Sequence, residues 1–316
     1  MPSERVKIAR ERQALKELMD GEIVGTDGKS YKIPSRRVDE TILIATWNIQ
    51  QFSNNKSPRA LQYIADICER FDIVALQEVK TDISGLAALQ ELLPGNYKIL
   101  VSDPTGNNER FAFLYDKRTV YPTGLVCEIG FDVPAEPHTG FQLHRMPYCA
   151  SFQAGRFDFV IASVHIFFGG NARQRRFRKK EIKELVNFVA KRSRAERKKV
   201  IDRDFFVVGD FNIKEAGDQF FEELRHERFF MPPKLDNLKT NFKQTATYDK
   251  IAWVRRRSFK FTGEINVVPF GDVLFQDKRP KGGKSQISDH LPLWAEFQVN
   301  KLTQELDQIL NPRRDD

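Results

Sequence analysis

Cysteine is scarce in this chain of 316 residues: there are three, at positions 68, 127 and 149. An odd number at wide spacing supports neither a disulfide framework nor a CxxC zinc site, and it fits a reducing compartment. Long apolar runs are lacking too. No stretch of about 18 apolar residues is present to form a membrane-spanning helix. Met1 to Asp20 is densely charged where a signal peptide would be apolar. Eighteen Gly and fifteen Pro are too few for a collagen-like or low-complexity chain. Together these absences point to a cytoplasmic protein. Apolar and aromatic residues are plentiful, with 41% hydrophobic content and 26 Phe. That suffices for a sizeable core and excludes a wholly disordered chain.

The net charge of +8 is unevenly placed. Residues 171–200 hold thirteen Lys and Arg against three Glu, a net +10, so the other 286 residues sum to −2. A basic segment on a nearly neutral body suits a polyanionic partner, although a solvated helix face has the same composition.

Along the chain, residues 1–20 read as a charged helix with a thin stripe at Ile8, Leu15, Leu18 and Met19. Residues 21–40 carry turn signals around Asp27-Gly28, so 1–40 reads as a helical and hairpin appendage. From Thr41 the pattern is that of a main domain, 41–299. Ile42–Ala45 and Ile73–Leu76 are short continuous apolar runs typical of strands buried on both faces. Between them Ser57-Pro58 starts a helix, and Thr81 or Asp82 starts another. Strands are expected at 97–101, 111–115, 120–126, 147–152, 157–164, 205–208, 248–254, 267–269 and 293–299. The basic segment, an insertion at about 167–200, contains an amphipathic helix with Ile182, Leu185, Val186 and Val189 on one side. A C-terminal helix and charged tail close the chain over 300–316. No internal repeat of fixed period is visible. The mixed order of strands and helices suggests an α/β architecture of packed sheets with helices outside.

Five apolar strands end in polar residues. The first runs into Trp47-Asn48, the second into Gln77-Glu78, and 157–164 into His165. The strand Phe206-Val207-Val208 runs into Gly209-Asp210-Phe211-Asn212, and Ile287-Ser288 leads to Asp289-His290. Each alone has a structural explanation as a turn former, a cap or a satisfied core histidine. Five such ends suggest one sheet rim that gathers functional groups. Carboxylates and amides such as Glu78, Asp289 and Asn48 suit a hard divalent cation, Mg²⁺ or Mn²⁺, and no thiol cluster suits zinc. Two imidazoles beside it suit acid–base work on phosphate.

The motifs Thr46-Trp47-Asn48-Ile49, Leu76-Gln77-Glu78-Val79, Val164-His165, Gly209-Asp210-Phe211-Asn212 and Ser288-Asp289-His290-Leu291-Pro292 resemble the endonuclease/exonuclease/phosphatase superfamily in its own order. Glu109–Tyr115 and Tyr248–Ile251 resemble its pancreatic-deoxyribonuclease branch. The resemblance implies a four-layered α/β sandwich, two packed mostly antiparallel β-sheets flanked by helices. It implies Glu78 as the Mg²⁺ ligand, with Asn48 and Asp289 as helpers and Mn²⁺ as a substitute. It further implies Glu109–His165 and Asp249–His290 as carboxylate–imidazole dyads, and Asp210 with Asn212 positioning water and the scissile phosphate. Arg145 matches a phosphate-binding arginine. Lys80 stands where that branch has Arg and the abasic-site repair branch has Lys. The tyrosine of that branch just before Glu109 is replaced by Asn107-Asn108, and the basic insertion is not a standard family feature.

The expected function is a Mg²⁺-dependent nuclease, most simply an endonuclease, acting on DNA or RNA. Arg173, Arg175, Arg176 and Arg178 are its expected substrate-binding cations, with Phe167, Phe168 and Phe177 able to stack on bases. A phosphatase or lipid phosphodiesterase built on the same site, and a nucleic-acid-binding module with weak or no catalysis, are the alternatives.

Overall fold

A computed structural model describes residues 3–130, 141–195, 202–225, 229–256, 259–275 and 286–300, with 306, 309 and 310. The expected closing helix and tail fall largely outside these residues. The strands are β1 (Thr41–Phe52), β2 (Ile73–Lys80), β3 (Tyr97–Val101), β4 (Glu109–Asp116), β5 (Tyr121–Glu128), β6 (Tyr148–Ala154), β7 (Phe157–His165), β8 (Phe205–Asp210), β9 (Phe229–Phe230), β10 (Asp249–Val254), β11 (Phe261–Val267) and β12 (Leu293–Gln298). The helices are α1 (Glu4–Asp20), α2 (Pro58–Cys68), α3 (Ser84–Leu92), α4 (Ala172–Arg194) and α5 (Gln219–Leu224).

Two six-stranded sheets form, ordered β11-β12-β1-β2-β4-β3 and β5-β6-β7-β8-β10-β9. Each has one parallel pair at its centre, β1/β2 and β7/β8, and antiparallel pairs on both sides. A parallel pair needs a crossover, and α2 and α4 supply one to each sheet. The same order of pairings therefore occurs twice, a duplication of plan that no fixed-period repeat betrays. Helices cover the outside of the packed sheets, which is the expected sandwich.

The sheets meet through aromatic rings: Phe206 on β8 and Trp253 on β10 lie 4.8 and 4.9 Å from Phe297 of β12. Phe113 stacks on Tyr148 at 5.2 Å, again from sheet to sheet. Deep in the interface a polar bridge crosses as well, Gln77 donating to Ser163 Oγ at 3.0 Å.

Several elements differ in detail from the sequence reading. The strand expected at 267–269 lies earlier, at β11. Helix α3 starts at Ser84 with Ile83 at its N-cap position, and Asp82 accepts the Ser84 N–H just before it. Residues 21–40 contain turns but no strand. Cys127 and Cys149, far apart in sequence, are direct cross-strand partners on β5 and β6, both as free thiols.

Candidate active site

The parallel pairs set where the polar residues gather. β1 and β2 run side by side with Asn48 opposite Gln77, and β7 and β8 with His165 opposite Asp210. Both pairs end at the same rim of the sandwich. Gly209 permits the second pairing: a Cβ there would lie 2.0 Å from the Val164 carbonyl oxygen, at φ 136°. Only glycine fits immediately before Asp210.

Glu78 lies in a bulge of β2, where the register with β4 shifts between Leu76 and Val79, and its φ is 59°. The bulge turns its carboxylate onto the rim. There Asn48 Nδ2 donates to Oε1 at 2.9 Å and the Gln51 N–H to Oε2 at 3.0 Å. The Asn48 amide donates to Asp210 Oδ2 as well, at 3.2 Å.

Asp210 sits between two imidazoles, with His165 Nε2 at 3.6 Å and His290 Nε2 at 3.7 Å. Burial would raise its pKa, but His290 and His165 outweigh that and hold the carboxyl low. His290 Nδ1 contacts Asp249 Oδ2 at 2.7 Å, so the expected second dyad is made. Burial disfavours a charged His290. Asp249 and Asp210 on its two sides nevertheless push its pKa up to about 10.

The first dyad is looser. His165 Nδ1 lies 3.4 Å from Glu109 Oε2 and has no hydrogen-bond partner, while Arg145 Nε holds that same oxygen at 2.8 Å. Burial raises the Glu109 pKa, but His165 and Arg145 bring it down to about 2. Lys80 Nζ lies 3.6 Å from Oε1 of the same residue.

Asn212, at φ 53°, donates to the Ile166 carbonyl at 2.7 Å. Asp289 joins the rim through Ser288, whose hydroxyl donates to the Asn48 carbonyl at 2.6 Å and accepts the His290 N–H at 3.0 Å. Burial, with Glu78 and Asp210 nearby, raises the Asp289 pKa despite His290.

Converging carboxylates that repel one another are the donor set a hard cation requires. Glu78 and Asp289 feel each other's charge, and the Asn48 amide is bonded to Glu78. Asp210, Asp249 and His290 offer three ligand atoms within 4.8 Å of one another. Among these three, however, His290 Nδ1 is already engaged with Asp249.

Three of the four expected substrate cations, Arg173, Arg175 and Arg176, are exposed on α4, and among the described residues no carboxylate pairs with them. Arg178 differs. It is 6% exposed, its Nη1 donates to the Asn212 carbonyl at 2.8 Å, and its guanidinium stacks 3.8 Å from the Phe220 ring centre. Phe167 and Phe177 pack edge-on at 5.5 Å, whereas Phe168 is 64% exposed.

The sequence reading missed Lys56, whose Nζ donates to the Ile287 carbonyl at 2.6 Å. Burial lowers its pKa to about 8, partly opposed by Asp289 and Glu78. No motif marks it, since it lies in the loop between β1 and α2. Glu181 was missed as well: its carboxylate accepts the His144 and Phe167 N–H groups at 2.6 and 2.8 Å.

Comparison with known proteins bears on the fold and the family. Solved structures similar to the chain include humanized D. rerio TDP2 carrying 14 mutations, at TM-score 0.58 and 14% identity, covering 81% of this chain and 98% of that one. Truncated Caenorhabditis elegans TDP2 gives 0.56 and 16%, covering 82% and 97%. The Bacteroides thetaiotaomicron mannosyl-6-phosphatase Bt3783 gives 0.57 and 16%, covering 81% and 99%. No curated protein matches. The family model matches residues 45–258, from the residue after Ile44 to beyond Asp249. With most of the rim, from Asn48 to Asp249, inside that stretch and Asp289 and His290 beyond it, the chain belongs to the endonuclease/exonuclease/phosphatase family, hydrolases acting on phosphoester bonds.

Proposed function

We propose that the protein is a Mg²⁺-dependent nuclease, and an endonuclease in mode, that hydrolyses phosphodiester bonds in DNA or RNA. The observation that carries this reading is the cluster of exposed cations Arg173, Arg175 and Arg176 in the first turn and a half of α4, with no carboxylate partner among the described residues. A polyanion held by these cations would present a phosphate to the carboxylate–imidazole cluster.

In this reading Glu78, Asn48 and Asp289 hold the cation, which when bound neutralises phosphate charge and lets a hard oxygen nucleophile approach. Asp210, kept anionic by two imidazoles, orients the attacking water with Asn212 and accepts its proton. His290, held as imidazolium between Asp249 and Asp210, offers Nε2–H to a phosphoryl oxygen. His165, beside Glu109, faces the same phosphate, and with Arg145 it keeps Glu109 charged.

A small-headgroup phosphatase would want a basic cluster close to Asp249. Arg255 and Arg256 instead lie past the far end of β10, donating to the Phe229 carbonyl and pairing with Asp204 at 2.5 Å. The similarity to a mannosyl-6-phosphatase therefore gains no support from a headgroup site there.

The test is cleavage of circular single-stranded DNA, plasmid and RNA with Mg²⁺, with a sugar phosphate as comparison. Circles should be cut, EDTA should stop the reaction, and Glu78→Gln should lower turnover by ~10²-fold or more with the fold intact by circular dichroism. Cleavage that persists in EDTA, or activity on the monoester alone, would overturn the reading.

A further inference from the structure

Resting on the nuclease reading, we infer that Phe168 and the start of α4 form a stacking shelf for an unpaired nucleotide next to the scissile phosphate. Phe168 is the exposed aromatic of this segment, 64% accessible, three residues beyond His165. Phe167 is packed against His144 and Phe177, so the other expected stacking rings are spent inside the protein. The face of Phe168 is backed by Arg178 at 5.8 Å, and Arg178 is itself braced on Phe220 and on the Asn212 carbonyl. With a buried guanidinium on one side, the exposed ring offers its apolar surface to a base.

Two residues on from Phe168, Gly170 borders a groove of about 310 Å³ with Arg175, Arg176 and Lys179. Lys179 is paired with Glu223 at 3.1 Å, whereas Arg175 and Arg176 have no carboxylate partner among the described residues. A ring for a base with two open cations beside it matches the repeat of a single strand, base then phosphate. In a duplex the base faces are covered by neighbouring pairs and cannot use the ring. The shelf is tied to the chemistry: the Ile166 N–H donates to the Asp210 carbonyl at 2.8 Å, and Asn212 donates back to the Ile166 carbonyl. The occupant is thus an unpaired stretch of the strand whose phosphate lies at the rim.

The experiment measures Kd in EDTA, against salt, for labelled oligodeoxythymidylate, oligouridylate and a duplex of the same length. The unaltered protein is compared with Phe168→Ala and with the double variant Arg175→Ser/Arg176→Ser. Phe168→Ala should weaken single-strand binding about tenfold and duplex binding less than twofold. The double variant should make the single-strand salt slope shallower by ~1.4, two phosphate contacts' worth. A loss on either single-stranded polymer supports the shelf. Equal losses on single strand and duplex, or none, overturn it. If the unaltered protein still cleaves nucleic acid while Phe168→Ala binds normally, the shelf fails and the nuclease reading stands. If the unaltered protein neither binds nor cleaves any of the three, both fall.

Discussion

Glu109 meets a guanidinium and an imidazole through one oxygen: Oε2 faces both Arg145 and His165. Its pKa in the folded protein is about 2, below the 4.5 of a free glutamate. The unfolded chain therefore binds the proton first. Stability from this carboxylate is present above about pH 4.5 and is lost as pH falls towards 2. Thermal unfolding followed from pH 6 to 2 should show a decline in that window, and Glu109→Gln should show a smaller one. A variant with the same pH profile as the unaltered protein would mean the ion pair adds nothing. Residues of this kind were legible from sequence, because family motifs quoted Glu109 and Arg145 separately. Their competition for one oxygen was not, since it depends on how β4 meets the segment before β6.

At the scale of the element, α4 shows what the sequence held in plain view. Arg178 and Glu181 stand at helical spacing with Ile182, Leu185 and Val189, the stripe that buries. A charge on an apolar stripe signals an internal partner, and here the partners are the Asn212 carbonyl and the N–H groups of His144 and Phe167. Glu181→Ala leaves two backbone donors without an acceptor and should cost ~1–3 kcal/mol per unmatched group at most. Tm should fall by several degrees, and an unchanged Tm would sink the claim that Glu181 anchors the rim. Most strands were legible because continuous or alternating apolar runs carry their period. β11 was misplaced because Phe261–Val267 contains Gly263 and a register shift against β12, both of which blur alternation.

For the whole molecule, the hardest features to read were those joining distant stretches. Trp47 donates its indole N–H to the His290 carbonyl at 2.9 Å, which fastens the first motif to the last. The residues before the main domain join in as well. Glu11 of α1 accepts from Arg59 at 2.5 Å, from the Phe275 N–H at 2.9 Å, and from Tyr63. Leu15, Leu18 and Met19 bury beneath the same helix. We therefore propose that α1 is part of the folding unit of 41–299 and not a separable appendage. Glu11→Ala should destabilise by ~3 kcal/mol, because a largely buried Arg59 loses a close partner. Urea unfolding measures this, and a loss under 1 kcal/mol would favour an appendage. The thin stripe at Leu15, Leu18 and Met19 signals that α1 packs on something, but not on what, since the partners lie far along the chain.

The left-handed backbone of Glu78 has a consequence for evolution in the laboratory. A non-glycine residue there costs of order 1 kcal/mol, and its carboxylate adds repulsion from Asp289. Glu78→Gly relieves that backbone but forfeits the acceptors for Asn48 and the Gln51 N–H, whereas Glu78→Gln keeps an acceptor and sheds the repulsion. The glutamine variant should therefore melt higher than the glycine variant while losing turnover, so a selection for heat resistance that ignores turnover would be drawn to the residue on which the chemistry depends.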